Sequence, residues 1–144
     1  MTTEHKARQL YDESLVIDGL NVSNWDSPEV FRNLDVGGVT AINATIATWE
    51  NFTQTMDHIA RWQPRFNRHA DTLSQVWTVG DIIKAKEEGK TGVILGFQNA
   101  SPIENDLDRL AIFHGLGVRI IQLTFHERNL LGNGCWERRD DGVS

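Results

Sequence analysis

Four apolar segments, each followed by polar residues, are the strongest constraint on how this chain folds. They lie at about residues 14–18, 39–46, 92–97 and 118–125. Each is a nearly continuous run of β-branched and other apolar residues, which is typical of strands that are covered on both faces. Segments with helical character separate them, so the chain alternates strand and helix. This order predicts a parallel sheet joined by right-handed crossover connections.

The intervening segments carry start and stop signals of helices. Ser27-Pro28 is typical of a helix start and Gly37-Gly38 of a helix end, while Thr78 is a favourable N-cap. Pro64 is predicted to kink or split the longest helix. Residues 130–144 are glycine-rich, charged and without period, and are predicted as a loop. Helices are predicted at about residues 4–13, 28–37, 50–69, 78–89 and 104–115.

The number of strand-helix units decides between the parallel folds. No G-x-G-x-x-G fingerprint follows the first strand, which disfavours a dinucleotide-binding domain. Four units suit half of an eight-stranded (β/α)8 barrel, which typically needs ~250 residues. We therefore predict that residues 1–144 form a single incomplete domain, the N-terminal half of such a barrel.

The composition limits the classes of partner. The 144 residues include 20 Asp and Glu against 14 Lys and Arg, for a net charge of −6, and contain no long basic run. This argues against nucleic acid as the main partner. The single cysteine, Cys135, cannot form an internal disulfide. Residues 1–10 lack the apolar core of a signal peptide, and no apolar run approaches the ~20 residues of a membrane helix. We therefore expect a soluble cytoplasmic protein without a nucleic-acid or membrane partner.

Polar side chains near the carboxyl ends of the predicted strands are the candidate binding residues, because ligands of α/β proteins bind beyond these ends. Their amides have a second interpretation, in which they satisfy buried backbone groups of the loops. Asp18 likewise either orients neighbouring pocket groups or holds its corner in an Asx turn. The candidates for binding a polar substrate are Asp18, Asn21, Asn43, Gln98, Asn99 and Asn129.

One histidine, His126, is predicted at the mouth of the sheet, directly after the fourth strand. Imidazole titrates near neutral pH, so His126 is the candidate general acid or base, with a structural role as its alternative. Cys135 lacks the partner pattern of a cysteine nucleophile, and no residue is predicted as a metal ligand. The remaining histidines are predicted on or near helices and are assigned to the surface: His5, His58, His69 and His114.

Three segments resemble the membrane (renal) dipeptidase family of metallopeptidases. Residues 16–21 (VIDGLN) resemble the opening D-G-H-N-D motif on that family's first barrel strand. Residues 92–99 (GVILGFQN) resemble its third-strand segment, which ends in E-G. Residues 116–124 (LGVRIIQLT) resemble its L-G-x-R-x-x-x-L-T segment. The loop that follows, residues 128–142, is similar to the loop after strand four in bacterial members.

This resemblance implies a zinc-dependent dipeptidase, a (β/α)8 barrel with two metals at its mouth. The family's ligands in this half are a His and an Asp of the first motif and a Glu after strand three. At these positions the sequence has Leu20, Val22 and Gln98. Leu and Val cannot donate to a metal, and a neutral amide is a poor substitute for a bridging carboxylate. We therefore expect a barrel containing this half to bind one metal rather than two.

Two functions of different classes follow. The first is that of a membrane-dipeptidase-like hydrolase that cleaves dipeptides or related amides in an altered, one-metal site. The second is that of a non-catalytic ligand-binding or scaffolding relative that has lost the zinc chemistry. In both cases we expect the 144-residue segment by itself to be inactive. A homodimer of two half-barrels is a third interpretation, in which pairing covers the open sheet edges.

Overall fold

A five-stranded, entirely parallel sheet runs through the computed structural model, which describes residues 2–139 and 142–143. The predicted alternation of strand and helix is confirmed. In chain order the elements are α1 (Thr3–Glu13), β1 (Ile17–Asn21), α2 (Pro28–Gly37), β2 (Ala41–Ala47), α3 (Phe52–Arg68), β3 (Leu73–Gln75), α4 (Val79–Glu87), β4 (Thr91–Phe97), a 3-10 turn (Ser101–Ile103), α5 (Arg109–Gly115) and β5 (Val118–Ile121).

Strand β4 is the centre of the sheet. One of its edges pairs with β2 over the whole length of both strands, and β1 pairs with the far edge of β2. The other edge is shared, because β3 pairs with residues 91–93 and β5 with residues 95–97. Apart from the short β3, the order is β1-β2-β4-β5, so that each strand lies next to its predecessor, as in a barrel. The fold is therefore half of a (β/α)8 barrel, as predicted.

The two faces of the sheet are covered by different helices. Alternate residues of β2 and β4, such as Ile42 and Leu95, pack with residues of α2, α3 and α5 in the main apolar core. The intervening residues, such as Ala41 and Ile94, form a second cluster with Ile82 of α4. We call the first face the outer face and the second the inner face, since the inner face faces the lumen in a closed barrel.

Helix α4 covers only the amino-terminal ends of the strands on the inner face. Its Ala85, together with Val76 just before the helix, lies against Gly92 at the start of β4, where a Cβ atom would come within 2.8 Å of the Val76 side chain. The later inner-face positions of β2 carry the polar residues Asn43 and Thr45. The inner face is therefore apolar at the bottom of the half-barrel and polar toward its carboxyl edge.

The strands differ from the prediction in three main respects. The strand β3 was not predicted, because its three residues, Leu-Ser-Gln, are too few to show a period. The strand predicted at 14–18 is β1 and runs from Ile17 to Asn21, because its pairing with β2 continues across a bulge to Asn21 and Ala44. The strand predicted at 118–125 ends at Ile121, because its partner β4 ends at Phe97.

Two helices also differ from the prediction. Helix α3 is continuous from Phe52 to Arg68, so Pro64 does not split it. The proline leaves the carbonyl of Ala60 without its helical partner, but both residues are exposed, so water is able to satisfy that carbonyl. The helix predicted at 104–115 begins only at Arg109, because the chain first makes a 3-10 turn and then turns sharply at Glu104, whose φ is +52°.

The outermost strands leave apolar side chains exposed. Ile17 and Leu20 on β1 are each 49% exposed, and Ile120 on β5 is 38% exposed. These positions lie at the two edges where an eight-stranded barrel continues its sheet. Across the residues that the structure describes, no helix combines the length and the apolar character needed to cross a bilayer.

Gly96 of β4 gives a test of the inner-face packing. A Cβ atom at this position would lie 1.9 Å from Oδ1 and 2.9 Å from Cγ of Asn43, which is itself buried. We expect Gly96→Ala to lower the free energy of unfolding by about 1–3 kcal/mol, as overpacking of a core does. Chemical denaturation measures the change. Gly19→Ala is the matched control, because its Cβ would meet nothing within 4 Å, and equal costs for the two variants would contradict this packing.

Candidate functional site

Asn43 lies in the middle of β2 on the inner face and is 4% exposed. Its Nδ2 donates a hydrogen bond to the carbonyl of Gly19 on β1, at 2.9 Å. Its Oδ1 is buried and has no hydrogen-bond partner among the described residues. A buried acceptor of this kind costs free energy unless something donates to it. Asn43 therefore offers one acceptor for a donor group of a ligand.

Gln98 directly follows β4 and is 3% exposed. Its Nε2 donates to Oγ1 of Thr45 on β2, at 3.1 Å, and its backbone N–H donates to the carbonyl of Ala47, at 2.9 Å. Both contacts hold the side chain against the carboxyl end of β2. The structure thus brings Asn43 and Gln98, which we call the inner-face amides, onto the same face of two neighbouring strands.

Asn99 and Asn129 form a separate pair. Nδ2 of Asn129 donates to Oδ1 of Asn99 at 2.7 Å and to the carbonyl of Leu123 at 2.6 Å. Its Oδ1 accepts from the backbone N–H groups of Leu131 and Gly132. The pair ties the loop after β5 to the end of β4. These contacts match the interpretation in which the amides satisfy loop backbone.

Asp18 and Asn21 of β1 are engaged by groups of the same strand and of the residue segment that follows it. Oδ1 of Asp18 accepts from the backbone N–H of Leu20 at 3.1 Å, which is an Asx turn, and Oδ2 accepts from Nδ2 of Asn21 at 2.8 Å. Oδ1 of Asn21 in turn accepts from the N–H of Ser23 at 3.0 Å. These three bonds fix the corner where β1 ends. They place the two side chains beside the carbonyl of Gly19 that receives Asn43.

His126 lies in a group of rings rather than against the inner-face amides. Its ring centroid is 3.8 Å from that of Trp136, at 13° between planes, and 3.6 Å from that of Phe125. Trp49, from the loop after β2, lies 5.6 Å from the same ring. Nδ1 of His126 is buried and has no hydrogen-bond partner within residues 2–139 and 142–143. A proton exchanged with a ligand therefore has to use Nε2.

The loop that carries Trp136 is held against His126 by close backbone contact. The N–H groups of Cys135 and Trp136 donate to the carbonyls of Phe125 and His126, both at 2.8 Å. A Cβ atom at Gly134 would lie 2.3 Å from the carbonyl carbon of His126, so only glycine allows this approach. Because β4 lies between β2 and β5, the rings of Trp49 and His126 meet across the end of β4.

The residues at the implied ligand positions do not fit a zinc site. Leu20 and Val22 are 49% and 67% exposed and have no donor atom in their side chains. Gln98 is neutral and its amide is already held by Thr45. In the part of the chain that the structure describes, no group of three or more His, Cys, Asp or Glu side chains is close enough to share a metal ion.

One histidine that the sequence analysis assigned to the surface lies in a cleft. Nδ1 of His58, on α3, donates to the carbonyl of Ile46 at 2.8 Å and lies 4.0 Å from Oε1 of Glu50. Burial raises the pKa of Glu50. The backbone N–H groups of Thr48, Glu50 itself and Trp49, together with the nearby His58, lower it by more, so the net pKa lies below its usual value. The sequence signal that was missed is the spacing of His58, Arg61 and Arg65 on one face of a helix.

Comparisons with known proteins agree with this architecture. The sequence model of the membrane dipeptidase family (peptidase family M19) matches residues 7–144. No curated protein matches the chain. Among solved structures, it is similar to an amidohydrolase from Pseudomonas aeruginosa, with 40% identity and a TM-score of 0.91 over 95% of this chain and 42% of that one.

Two more distant structures share the fold. The probable dipeptidase PvdM from Pseudomonas aeruginosa is 15% identical, with a TM-score of 0.78 over 90% of this chain and 39% of that one. A metallo peptidase from Rhodobacter sphaeroides, liganded with a phosphinate mimic of the dipeptide L-Ala-D-Ala, is 17% identical, with a TM-score of 0.52. The match covers 90% of this chain and 38% of that one. The chain thus spans less than half the length of these proteins. Since the family's sequence model covers nearly all of it, this chain belongs to the membrane dipeptidase family.

Proposed function

We propose that the protein acts on a dipeptide or a related small amide, and that this half of the barrel binds the substrate through uncharged amides. The observation that carries the proposal is the buried, unpartnered Oδ1 of Asn43 on the inner face. An amide or ammonium N–H of the substrate supplies the missing donor. Family membership supports the substrate class, as does the dipeptide mimic bound by the Rhodobacter sphaeroides metallo peptidase.

The hydrolytic site in this proposal is altered from a two-metal site to a one-metal site. Leu20, Val22 and Gln98 stand where the resemblance implies the ligands of the first motif and the bridging carboxylate, so a single zinc ion would need its ligands on barrel strands outside these 144 residues. In that arrangement the inner-face amides orient the substrate, and His126, through Nε2, is the proposed proton carrier. The 144-residue chain alone is expected not to hydrolyse dipeptides.

A second candidate function is ligand binding without hydrolysis. The specific observation in its favour is the hydrogen bond between Gln98 and Thr45, which fixes the amide in a position where the family's Glu bridges two metals. A fixed neutral amide suits recognition of a polar ligand better than polarisation of a scissile carbonyl. The two candidates differ in whether the longer protein retains zinc.

Metal binding tests the claim that three side chains have removed the metal site. We expect the wild-type chain, after dialysis against zinc and then buffer, to retain no stoichiometric zinc. Restoring the ligand types in the triple variant Leu20→His, Val22→Asp and Gln98→Glu is expected to raise the retained zinc toward one ion per chain, because it supplies an imidazole and two carboxylates. Elemental analysis by mass spectrometry measures both values.

The control for loss of the wild-type side chains is a second triple variant, Leu20→Ala, Val22→Ala and Gln98→Ala. It is expected to bind no more zinc than the wild type. Stoichiometric zinc in the wild-type chain, or dipeptide hydrolysis by that chain that a chelator abolishes, would contradict the altered site.

Substrate binding at the inner-face amides has a direct spectroscopic readout. On titration with L-Ala-D-Ala, the side-chain NH2 resonances of Asn43 and Gln98 are expected to shift with saturation. Those of Gln63 and Asn67, which are exposed on α3, serve as internal controls and are expected to stay. Loss of one neutral hydrogen bond in Asn43→Ala is expected to weaken binding roughly two- to tenfold. Shifts confined to α3, or none at all, would refute this assignment.

A further inference from the structure

The loop after β1 and helix α3 enclose a cleft that the proposed dipeptide site does not use. It contains two adjoining cavities of about 210 and 220 Å³, and both are lined by Ser23, Trp25 and His58. The first, which we call the α3 cavity, is also lined by Arg61 and Arg65. It lies on the outer face, where Trp62 of α3 packs in the main core, and neither inner-face amide lines it.

The α3 cavity is lined by three basic side chains from one face of the helix. His58, Arg61 and Arg65 are spaced by three and four residues, so they are stacked on successive turns. The guanidinium of Arg61 makes no hydrogen bond or ion pair with any residue in the described ranges, although the residue lines the cavity. A guanidinium in this position is a donor group without an acceptor.

The one acidic residue of the cavity wall is already paired. Oδ1 of Asp26 accepts from the guanidinium of Arg65 at 2.5 Å, and Nε of Arg65 donates to the carbonyl of Trp25 at 3.2 Å. The side chain of Arg65 is 14% exposed and that of Asp26 is 80% exposed, so the pair lies at the rim of the cavity. Arg65 and Asp26 cancel in charge, and Arg61 leaves the cavity with a net positive charge.

The polar atoms that remain for a ligand are mainly donors. Nδ1 of His58 is used by the carbonyl of Ile46, and the Asn24 Oδ1 is used by the N–H of Asp26. This leaves the NH2 group of Asn24 as a donor, in the same cavity wall as the guanidinium of Arg61. Glu50 lines only the second cavity, where the backbone N–H groups of Thr48 and Trp49 engage its Oε2.

We propose that the α3 cavity binds a small organic anion. Its oxyanion group, a carboxylate, contacts Arg61 and the NH2 group of Asn24, and its apolar body lies against the ring of Trp25. Charge-assisted hydrogen bonds are the strong ones, and a guanidinium matches a planar carboxylate in geometry. The assignment does not depend on dipeptide binding, because Asn43 and Gln98 take no part in it.

The experiment uses three probes with the same apolar body and different charge: benzoate, benzyl alcohol and benzylammonium. Benzoate is expected to shift the His58 ring protons and the Trp25 indole N–H resonance with saturation. Benzyl alcohol is expected to bind with an affinity at least about tenfold lower than that of benzoate, because it lacks the charge-assisted hydrogen bonds. Benzylammonium is expected not to bind. NMR titration of the wild-type chain measures all three.

Arg61→Gln is the test variant, since its side chain is exposed and unpartnered and the fold does not depend on it. It is expected to weaken benzoate binding about tenfold. Arg68→Gln, at another exposed arginine of α3 outside the cavity, removes the same charge and is expected to leave binding unchanged. Equal affinity for benzoate and benzyl alcohol, equal effects of the two variants, or no saturable shift at His58 would overturn the proposal. The L-Ala-D-Ala titration is measured at Asn43 and Gln98 and the benzoate titration at His58 and Trp25. A negative result in one titration therefore refutes one proposed site without refuting the other.

Discussion

The pairing of β2 with β4 positions every part of the candidate sites. Both strands are almost fully buried, and their ladder runs from Ala41 and Gly92 to Ala47 and Phe97. It can do so only because Gly92 and Gly96 carry no side chain where Val76 and Asn43 approach. Glycine lowers the intrinsic stability of a strand, and the close packing on the inner face offsets this loss. The outer face of the same ladder carries the apolar core under α3.

The sequence was sufficient to predict the fold class, because alternating apolar strands and capped helices are local signals. The Asx turn at Asp18 and the left-handed Gly38 that ends α2 follow from side chains next to the backbone they bind. The strand β3 could not be predicted, since it exists only through its pairing with residues 91–93 of β4. A three-residue strand is stabilised by tertiary contact and not by its own propensity.

The candidate sites were harder to predict for the same reason. Which atom of an amide is left without a partner depends on its neighbours in space, and the free Oδ1 of Asn43 follows from the bond between its Nδ2 and Gly19. His58 has the sequence context of a surface residue on an amphipathic helix. Its cleft is created by a loop more than thirty positions away, around Ser23. Likewise, the ring stack on His126 depends on a tight approach at Gly134 within a segment that has no period.

The two proposed sites differ in chemistry because they lie on opposite faces of the carboxyl end of β2. On the inner face, Asn43 and Gln98 are uncharged, so hydrogen bonding and not ionic attraction selects the ligand. On the outer face, Arg61 is not neutralised and His58 is held by Ile46. Thr45 joins the two faces, because its Oγ1 holds Gln98 while the residue also lines the α3 cavity.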